Sequence, residues 1–347
     1  MALGIYSTHE LMGVVRRLPQ PKGFWKAMAA RVYTSDREKI YFDELGEEDR
    51  RLAPFVAPFQ QGRVLKELGY QTKSFKPAYL KPKGIVHPQK TLMRRPGEAF
   101  GGEMSPAQRR DAVIADLLAS QRDMIDRRLD WMAAQALMFG SVTVEGDDYP
   151  TQTVDFGRDS SLTYTLAGTA QWDDTDADPL GDIKAARLNA YNLGSYPVRK
   201  LIFGATAWEL FTTNADVKAL LSTQVRGSDS NFRAASLNAG EPWAFEGTIV
   251  GGPGGQGGYD LYTYQGTYRD DSGTATSILH TNDVIGIGEP DLVEAYGAIL
   301  DLDSLAPVPM FPKMWRENDP SAEYVMTQSA PLMVPMRPNS TFRIRVA

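Results

Sequence analysis

One uninterrupted stretch, residues 106 to 139, constrains this chain more than anything else in it. Ser105-Pro106-Ala107-Gln108 supplies a capping serine, a proline at the first helical position and a glutamine placed to complete a capping box. Ile114, Leu118, Gln121, Ile125, Leu129, Met132 and Ala136 then recur at spacings of three and four, the pattern of one buried helical face. Arg122 with Asp126, and Asp123 with Arg127, form i,i+4 pairs on other faces. Gly140 supplies the stop. The reading predicts a helix over 106–139, about 50 Å long at ~1.5 Å per residue, far beyond the usual three or four turns. A single apolar face with Gln121 set into it argues for a spine laid against a sheet rather than for a coiled coil.

The chain as a whole, 347 residues, is of ordinary globular composition, 42% hydrophobic and 23% charged. Zero cysteines exclude disulfides and thiolate metal sites, and the three histidines, His9, His87 and His280, are scattered. No basic start leads into a long apolar stretch, and no apolar run of about 18 residues occurs, so neither export nor membrane spanning is expected. A formal net charge of -6 argues against a dedicated nucleic-acid binder working through a basic face.

The charge is unevenly spread. Nine Lys or Arg (Arg63, Lys66, Lys73, Lys76, Lys81, Lys83, Lys90, Arg94, Arg95) stand against one acid, Glu67, between Arg63 and Arg95, which leaves 28 basic against 42 acidic residues elsewhere. A basic arm on an acidic body suits a self-assembling subunit that reaches across a neighbour. Charge alone fits equally well a solvated, lysine-rich edge that resists aggregation.

Residues 1 to 32 carry Arg16, Arg17, Lys22, Lys26 and Arg31, are broken by Pro19 and Pro21, and show no sustained period; they read as an arm packed on something else. Short strands are expected around Val32-Tyr33 and Ile40-Tyr41-Phe42, with a further apolar stretch from Leu52 to Phe59. Residues 63 to 100 alternate weakly and contain Pro77, Pro82 and Pro88, which fits a long two-stranded excursion with exposed edges rather than a central strand. Such a hairpin is marginal alone and needs a partner surface. Val142 to Trp172 reads as strands. Beyond it helical patterns (183–191, 207–211, 215–224) alternate with strand-like runs (201–203, 248–250, 284–287), an α+β region. The closing stretches 323–328 and 341–346 are strand-like.

Two segments invite a chemical reading and fail it. In the run Asp173, Asp174, Asp176, Asp178, Asp182, a calcium loop starting at Asp174 would put Pro179 where the turn glycine belongs and Ala185 where the bidentate glutamate belongs. A polar turn with Asp182 as N-cap of the next helix is the better reading. The glycine-rich stretch 251–258 is followed by Tyr259-Asp260-Leu261 and not by the Lys-Ser/Thr of a phosphate loop, so it reads as a loop or hairpin tip. No nucleophile, base and orienter can be assembled, and neither a catalytic residue nor a cofactor or metal site is predicted. The six tryptophans, Trp25, Trp131, Trp172, Trp208, Trp243 and Trp315, are not interleaved with basic residues and read as core or interface anchors.

Phe75-Lys76-Pro77-Ala78-Tyr79-Leu80-Lys81-Pro82-Lys83 and His87-Pro88-Gln89-Lys90-Thr91-Leu92-Met93-Arg94-Arg95-Pro96 resemble the extended-loop motif of the phage lambda-type major capsid family. Trp172, the Asp178-Pro179 to Asn189-Ala190 helix entry, and Tyr296-Gly297 before Asp301 to Asp303 resemble the family's middle. Phe311-Pro312-Lys313-Met314-Trp315, Asp319-Pro320 and Met326-Thr327-Gln328-Ser329-Ala330-Pro331-Leu332-Met333 resemble its closing signature. In order and spacing the resemblance covers nearly the whole chain, except the glycine-rich stretch.

The resemblance implies an α+β, HK97-like capsid fold, named for phage Hong Kong 97, and a shell role with no enzymatic activity. It implies an N-terminal arm (1–32), an extended β-hairpin loop (63–104), a peripheral domain (33–62, 105–172, 322–347) holding the spine helix 106–139, and an axial domain (173–321). Expected partners are further copies in hexamers and pentamers, a separate scaffolding protein, a portal, a decoration or cement protein and packaged double-stranded DNA, with no membrane. Expected location is the virion capsid, assembled in the host bacterial cytoplasm. Lys73, Lys76, Lys81, Lys83, Lys90, Arg94 and Arg95 are the expected inter-subunit contacts, and Arg16, Arg17, Lys22 and Lys26 an interior or scaffold-facing group. An encapsulin-like compartment shell of the same fold is the alternative.

Overall fold

The long helix forms over Pro106–Phe139, the predicted 34 residues. In the computed structural model, which describes residues 4–19, 23–45, 70–94, 98, 104–146, 149–218, 241–249, 258–270, 272–302, 308–319 and 321–347, its start is the expected capping box. Ser105 Oγ accepts from Gln108 N at 3.3 Å, and Gln108 Oε1 accepts from Ser105 N at 2.8 Å. It ends where Gly140 takes φ +66°, a left-handed conformation natural only to glycine. All seven residues of the predicted face are buried.

The chain divides into two compact units, residues 1–41, 74–132 and 293–333, and residues 42–73, 133–292 and 334–347. These boundaries cut across the four segments expected from sequence.

The first unit contains helix α1 (Thr8–Arg17), the short α2 (Pro88–Leu92) and the long helix α3 (Pro106–Phe139) as far as Met132. One sheet joins β15 (Phe311–Asn318), β16 (Ser321–Gln328) and β4 (Lys83–Val86), antiparallel throughout, and another has the order β1 (Ala29–Thr34), β14 (Leu292–Tyr296), β17 (Pro331–Pro335). The core gathers Leu11 and Val15 of α1, Ile114 and Leu118 of α3, and Val86, Met314 and Val325 of the first sheet. Helix α1 was not expected. Its signal was present: Ser7 and Glu10 form a reciprocal capping box, and Leu11 and Val15 sit one turn apart on its buried face.

The second unit is built on a six-stranded mixed sheet in the order β7 (Thr163–Thr165), β18 (Thr341–Arg345), β13 (Asp283–Ile287), β8 (Lys200–Phe203), β10 (Tyr259–Tyr264), β9 (Trp243–Ile249). Strands β8 and β10 are parallel, as are β18 and β7, and the remaining pairs are antiparallel. Helices α4 (Pro179–Gly194) and α5 (Ala205–Thr213) supply Ile183, Ala186, Ala190, Ala207 and Phe211 to its core. Gly286 lies opposite Phe342 in the ladder, and a Cβ there would come within 2.1 Å of the ring, so the aromatic fills the space glycine leaves. Two small pairs, β5 (Ser141–Gly146) with β6 (Tyr149–Asp155) and β11 (Thr267–Arg269) with β12 (Ala275–Ser277), complete the unit.

Three expectations change. The strands of the basic segment do not pair with each other: β3 (Tyr70–Phe75) pairs with β2 (Ile40–Leu45), while β4 is the edge of a body sheet. Prolines 77 and 82 lie between β3 and β4, where each ladder ends. The closing strand β18 sits in the same sheet as β8, β10 and β13, strands of the stretch 173–321, although 322–347 were expected with the spine helix. Helix α4 is capped by Asp178, which accepts from Gly181 N at 2.8 Å, one turn before the expected Asp182. Pro179 at the first helical position favours that start. The apolar stretch 52–59, residues 219–224 of the expected 215–224 helix, and the glycine-rich residues 251–257 lie outside the described residues.

Candidate interaction surfaces

The sheet β15–β16–β4 has two unlike faces, because alternate residues point to opposite sides. Inward go Val86, Val325 and Met314, with Gly84 so close to Leu117 of α3 that a Cβ would meet its Cδ2 at 2.7 Å. Glu323 and Arg316 share this side, and the Glu323 carboxylate accepts from both Arg110 and Arg316. Burial alone would raise the Glu323 carboxyl, but the two guanidinium groups overcome it and hold it below the ordinary range. Gln121 completes the inner seam: its Nε2 donates to Val325 O at 2.8 Å and its Oε1 accepts from Thr327 Oγ1 at 2.7 Å. A buried amide is tolerated there because both ends are satisfied.

Outward go the cross-strand rows Lys83, Met326, Lys313 and Ile85, Tyr324, Trp315. The Trp315 and Tyr324 rings are stacked at 5.4 Å and 16°, with Lys83 Nζ 3.9 Å from the Tyr324 centroid and 5.1 Å from that of Trp315. Lys313 is paired with Asp301 at 2.9 Å.

On α3, three residues at four-residue spacing hold the N-terminal segment. Arg122 donates to Val15 O (2.5 Å) and Leu18 O (2.8 Å), Asp126 pairs with Lys26 Nζ at 2.6 Å, and Asp130 Oδ1 accepts from Lys26 N at 2.8 Å. Lys26 also lies 3.4 Å from Glu294, whose carboxylate accepts from Tyr296 OH. Burial raises the Asp130 carboxyl, against the lowering effect of backbone bonds from Lys26 and Trp25. In the second unit, Asp283 receives both Arg343 and Arg345, and Arg158 donates to Leu137 O (3.0 Å) and Met138 O (2.6 Å) at the end of α3. Burial, with Arg343 nearby, lowers the Arg158 guanidinium to about 10.

The predicted contact residues separate into groups. Lys81, Lys83, Lys90 and Arg94 are exposed, and Lys81 stands over the Tyr79 ring at 4.8 Å. Lys76 pairs with Glu38 at 3.0 Å, and Lys73 donates to Asp155 O at 3.3 Å. Arg16 and Arg17 are exposed in the last turn of α1, where positive charge complements the helix dipole. Lys26 is an internal tether to Asp126 and Glu294, a role that its place in a basic arm did not suggest. Arg95 and Lys22 lie outside the described residues. Arg110, Arg122 and Arg158 were missed as organisers, since a buried arginine looks like any other in sequence. Among the described residues no group of three or more His, Asp or Glu side chains is placed to hold a metal ion.

The sequence profile of the family described as phage major capsid protein E matches residues 7–346. The major capsid protein of Escherichia phage N15 is 28% identical, with 99% of this chain and all of that protein covered. That of Escherichia phage lambda is 30% identical, with 91% of each covered. Among solved structures, a prophage capsid protein from E. coli CFT073 superimposes with a TM-score of 0.73 at 23% identity, covering 99% of this chain and 100% of that one.

Proposed function

The chain belongs to the phage major capsid protein E family, and from that membership we propose that its copies close into the icosahedral shell around the double-stranded DNA of a tailed phage. The observation that carries this is the match from residue 7 to residue 346, which embraces both compact units and the spine helix. The family is a structural one, and the role inferred is construction, without a catalytic step.

In this reading the exposed Lys81, Lys83, Lys90 and Arg94 meet neighbouring copies. Single exposed ion pairs contribute only ~0 to 1 kcal/mol, so shell strength comes from repetition by symmetry. Weak individual contacts also let misplaced subunits leave. The pairing of β2 with β3 supports placing the extended loop at residues 40–75. The same logic assigns β15 and β16 to the peripheral domain with α3, and β18 to the axial domain with β8, β10 and β13. Arg16 and Arg17 face a scaffolding protein or DNA inside the shell; portal and decoration proteins complete the head, which forms in the host cytoplasm.

The test is size-exclusion chromatography and negative-stain electron microscopy of the chain expressed with and without its neighbouring genes. Closed shells or tubes are expected; a compact monomer under both conditions would overturn the reading. Replacing Lys81, Lys83, Arg94 and Arg95 together by Glu is expected to abolish shells while leaving a folded subunit.

A further inference from the structure

We propose that the edge strand β1 pairs with β1 of a second copy, antiparallel across a two-fold axis, in the register that sets Val32 opposite Val32. The inference rests on the shell reading above and adds a contact which that reading does not name.

The first observation is exposure. Among the described residues β1 is an outer strand of the sheet β1–β14–β17. Ala30, Arg31, Val32 and Tyr33 follow one another without a covered position, Val32 being 61% and Tyr33 49% exposed. A β-branched residue and an aromatic one on opposite faces of an open edge are a template for another strand. The second observation is the contrast with the other edges of the sheets of three or more strands. β17 has proline at both ends and is wholly buried, and β15 carries Pro312, Lys313, Arg316 and Glu317. β7 has three residues, β9 bulges at Glu246, and β4 has four residues with Lys83 among them. Each of these blunts an edge against further pairing. β1 has six residues, no proline and a single charge, Arg31.

The partner and the register are identified by symmetry and charge. A closed icosahedral shell brings identical surfaces together at its two-fold axes, and a strand that meets its own copy at such an axis runs antiparallel to it. An axis perpendicular to the sheet keeps each face continuous, so the residue at the centre lies opposite itself. Centring on Arg31 sets like charges against each other, and centring on Tyr33 leaves only residues 32–34 of the strand paired. Centring on Val32 pairs Ala30 with Thr34 and puts each Arg31 opposite the partner's Tyr33, a cation beside an aromatic ring. The outer backbone N–H and C=O groups of both strands gain partners at the same time.

The chain contains no cysteine, so single cysteines report the register. Full-length Val32→Cys, assembled and then oxidised with copper phenanthroline, is expected to run as a disulfide-linked dimer on a non-reducing gel. Ala30→Cys and Thr34→Cys, each alone, are expected to run as monomers, because their sulfurs lie four positions, about 14 Å, apart along the strands and beyond disulfide reach. Co-assembled one to one, those two are expected to cross-link. Particles of Val32→Cys that give no dimer would overturn the proposal. So would equal cross-linking of all three single variants, which marks a contact without register. Val32→Lys, which sets two ammonium groups face to face, is expected to lower particle yield about tenfold by sedimentation, with circular dichroism and thermal midpoint like those of wild type. Wild-type yield from it would also overturn the pairing. If wild-type chain forms no particles, the shell reading fails; a Val32→Cys dimer in solution would then uphold the pairing alone, and its absence would overturn both.

Discussion

Arg110 and Glu323 meet in a two-pronged pair, Nε to Oε2 at 2.7 Å and NH2 to Oε1 at 3.0 Å, joining the second turn of the spine helix to β16. Both side chains are almost wholly enclosed, so removing one partner strands a buried charge. Arg110→Met and Glu323→Gln are each expected to destabilise the first unit by about 3–5 kcal/mol in denaturant unfolding, with the double variant costing less than the sum. The sign with pH follows. A carboxyl held below its unfolded value contributes stability that is present above the ordinary carboxylate range and is lost as pH falls through the depressed folded value. Wild type should therefore weaken more steeply than Glu323→Gln as pH falls below the ordinary carboxylate range.

Asp130 has the opposite sign. Burial raises its carboxyl in the folded state, so ionisation there costs stability above the raised value and that cost disappears as pH falls through it. Asp130→Asn keeps an oxygen for the Lys26 amide and is expected to be at least as stable as wild type at pH 7, without the gain in mild acid. Asp130→Ala leaves that amide without its acceptor and should cost roughly 1–3 kcal/mol. Thermal unfolding from pH 4 to 8 distinguishes the three chains.

The two ends of the spine helix should respond unequally. Ser105→Ala removes one exposed cap bond and should cost about 1 kcal/mol. Gly140→Ala must hold φ +66° and place a methyl 2.4 Å from the Arg158 Cβ, so it should cost clearly more. Denaturant midpoints of the two variants, compared at equal slope, test the order.

Arg158 is the tie between the last carbonyls of that helix and the hydroxyls of Thr163 and Thr341. Arg158→Met is expected to raise amide exchange at Gly140 and in its neighbouring strands by tenfold or more, while amides around Leu118 stay protected. Uniform loss of protection along the helix would contradict this.

Much of the architecture was legible, and the reasons are local. The helix over 106–139 was readable because cap, period and stop agree along one continuous stretch. Strands at 201–203, 284–287 and 341–346 were readable from β-branched and aromatic runs. Helix α1 was passed over because two prolines and several basic residues around it obscured a short period, although Ser7 and Glu10 marked its start. The partners of β3 and β4 were not readable at all. Strand pairing joins segments remote in sequence: Ile85 meets Tyr324, whose position follows only when the body has folded. For the same reason the basic segment could be recognised from charge, but not that Lys76 is engaged by Glu38 while Lys83 lies on aromatic rings, nor that Lys26 of the N-terminal arm is engaged by Asp126.

The two compact units share one property of chain order. Val325 closes the core of the first, and Phe342, Ile344 and Val346 close that of the second. During synthesis the spine helix emerges about two hundred residues ahead of the strand that covers Ile114 and Leu118, so its apolar seam stands open to water for most of translation. Neither core can shut until nearly all of the chain has left the ribosome. A chain terminated before Val325 therefore lacks the closing residues of both cores and is material for proteases, which keeps such incomplete subunits out of any structure built by repetition.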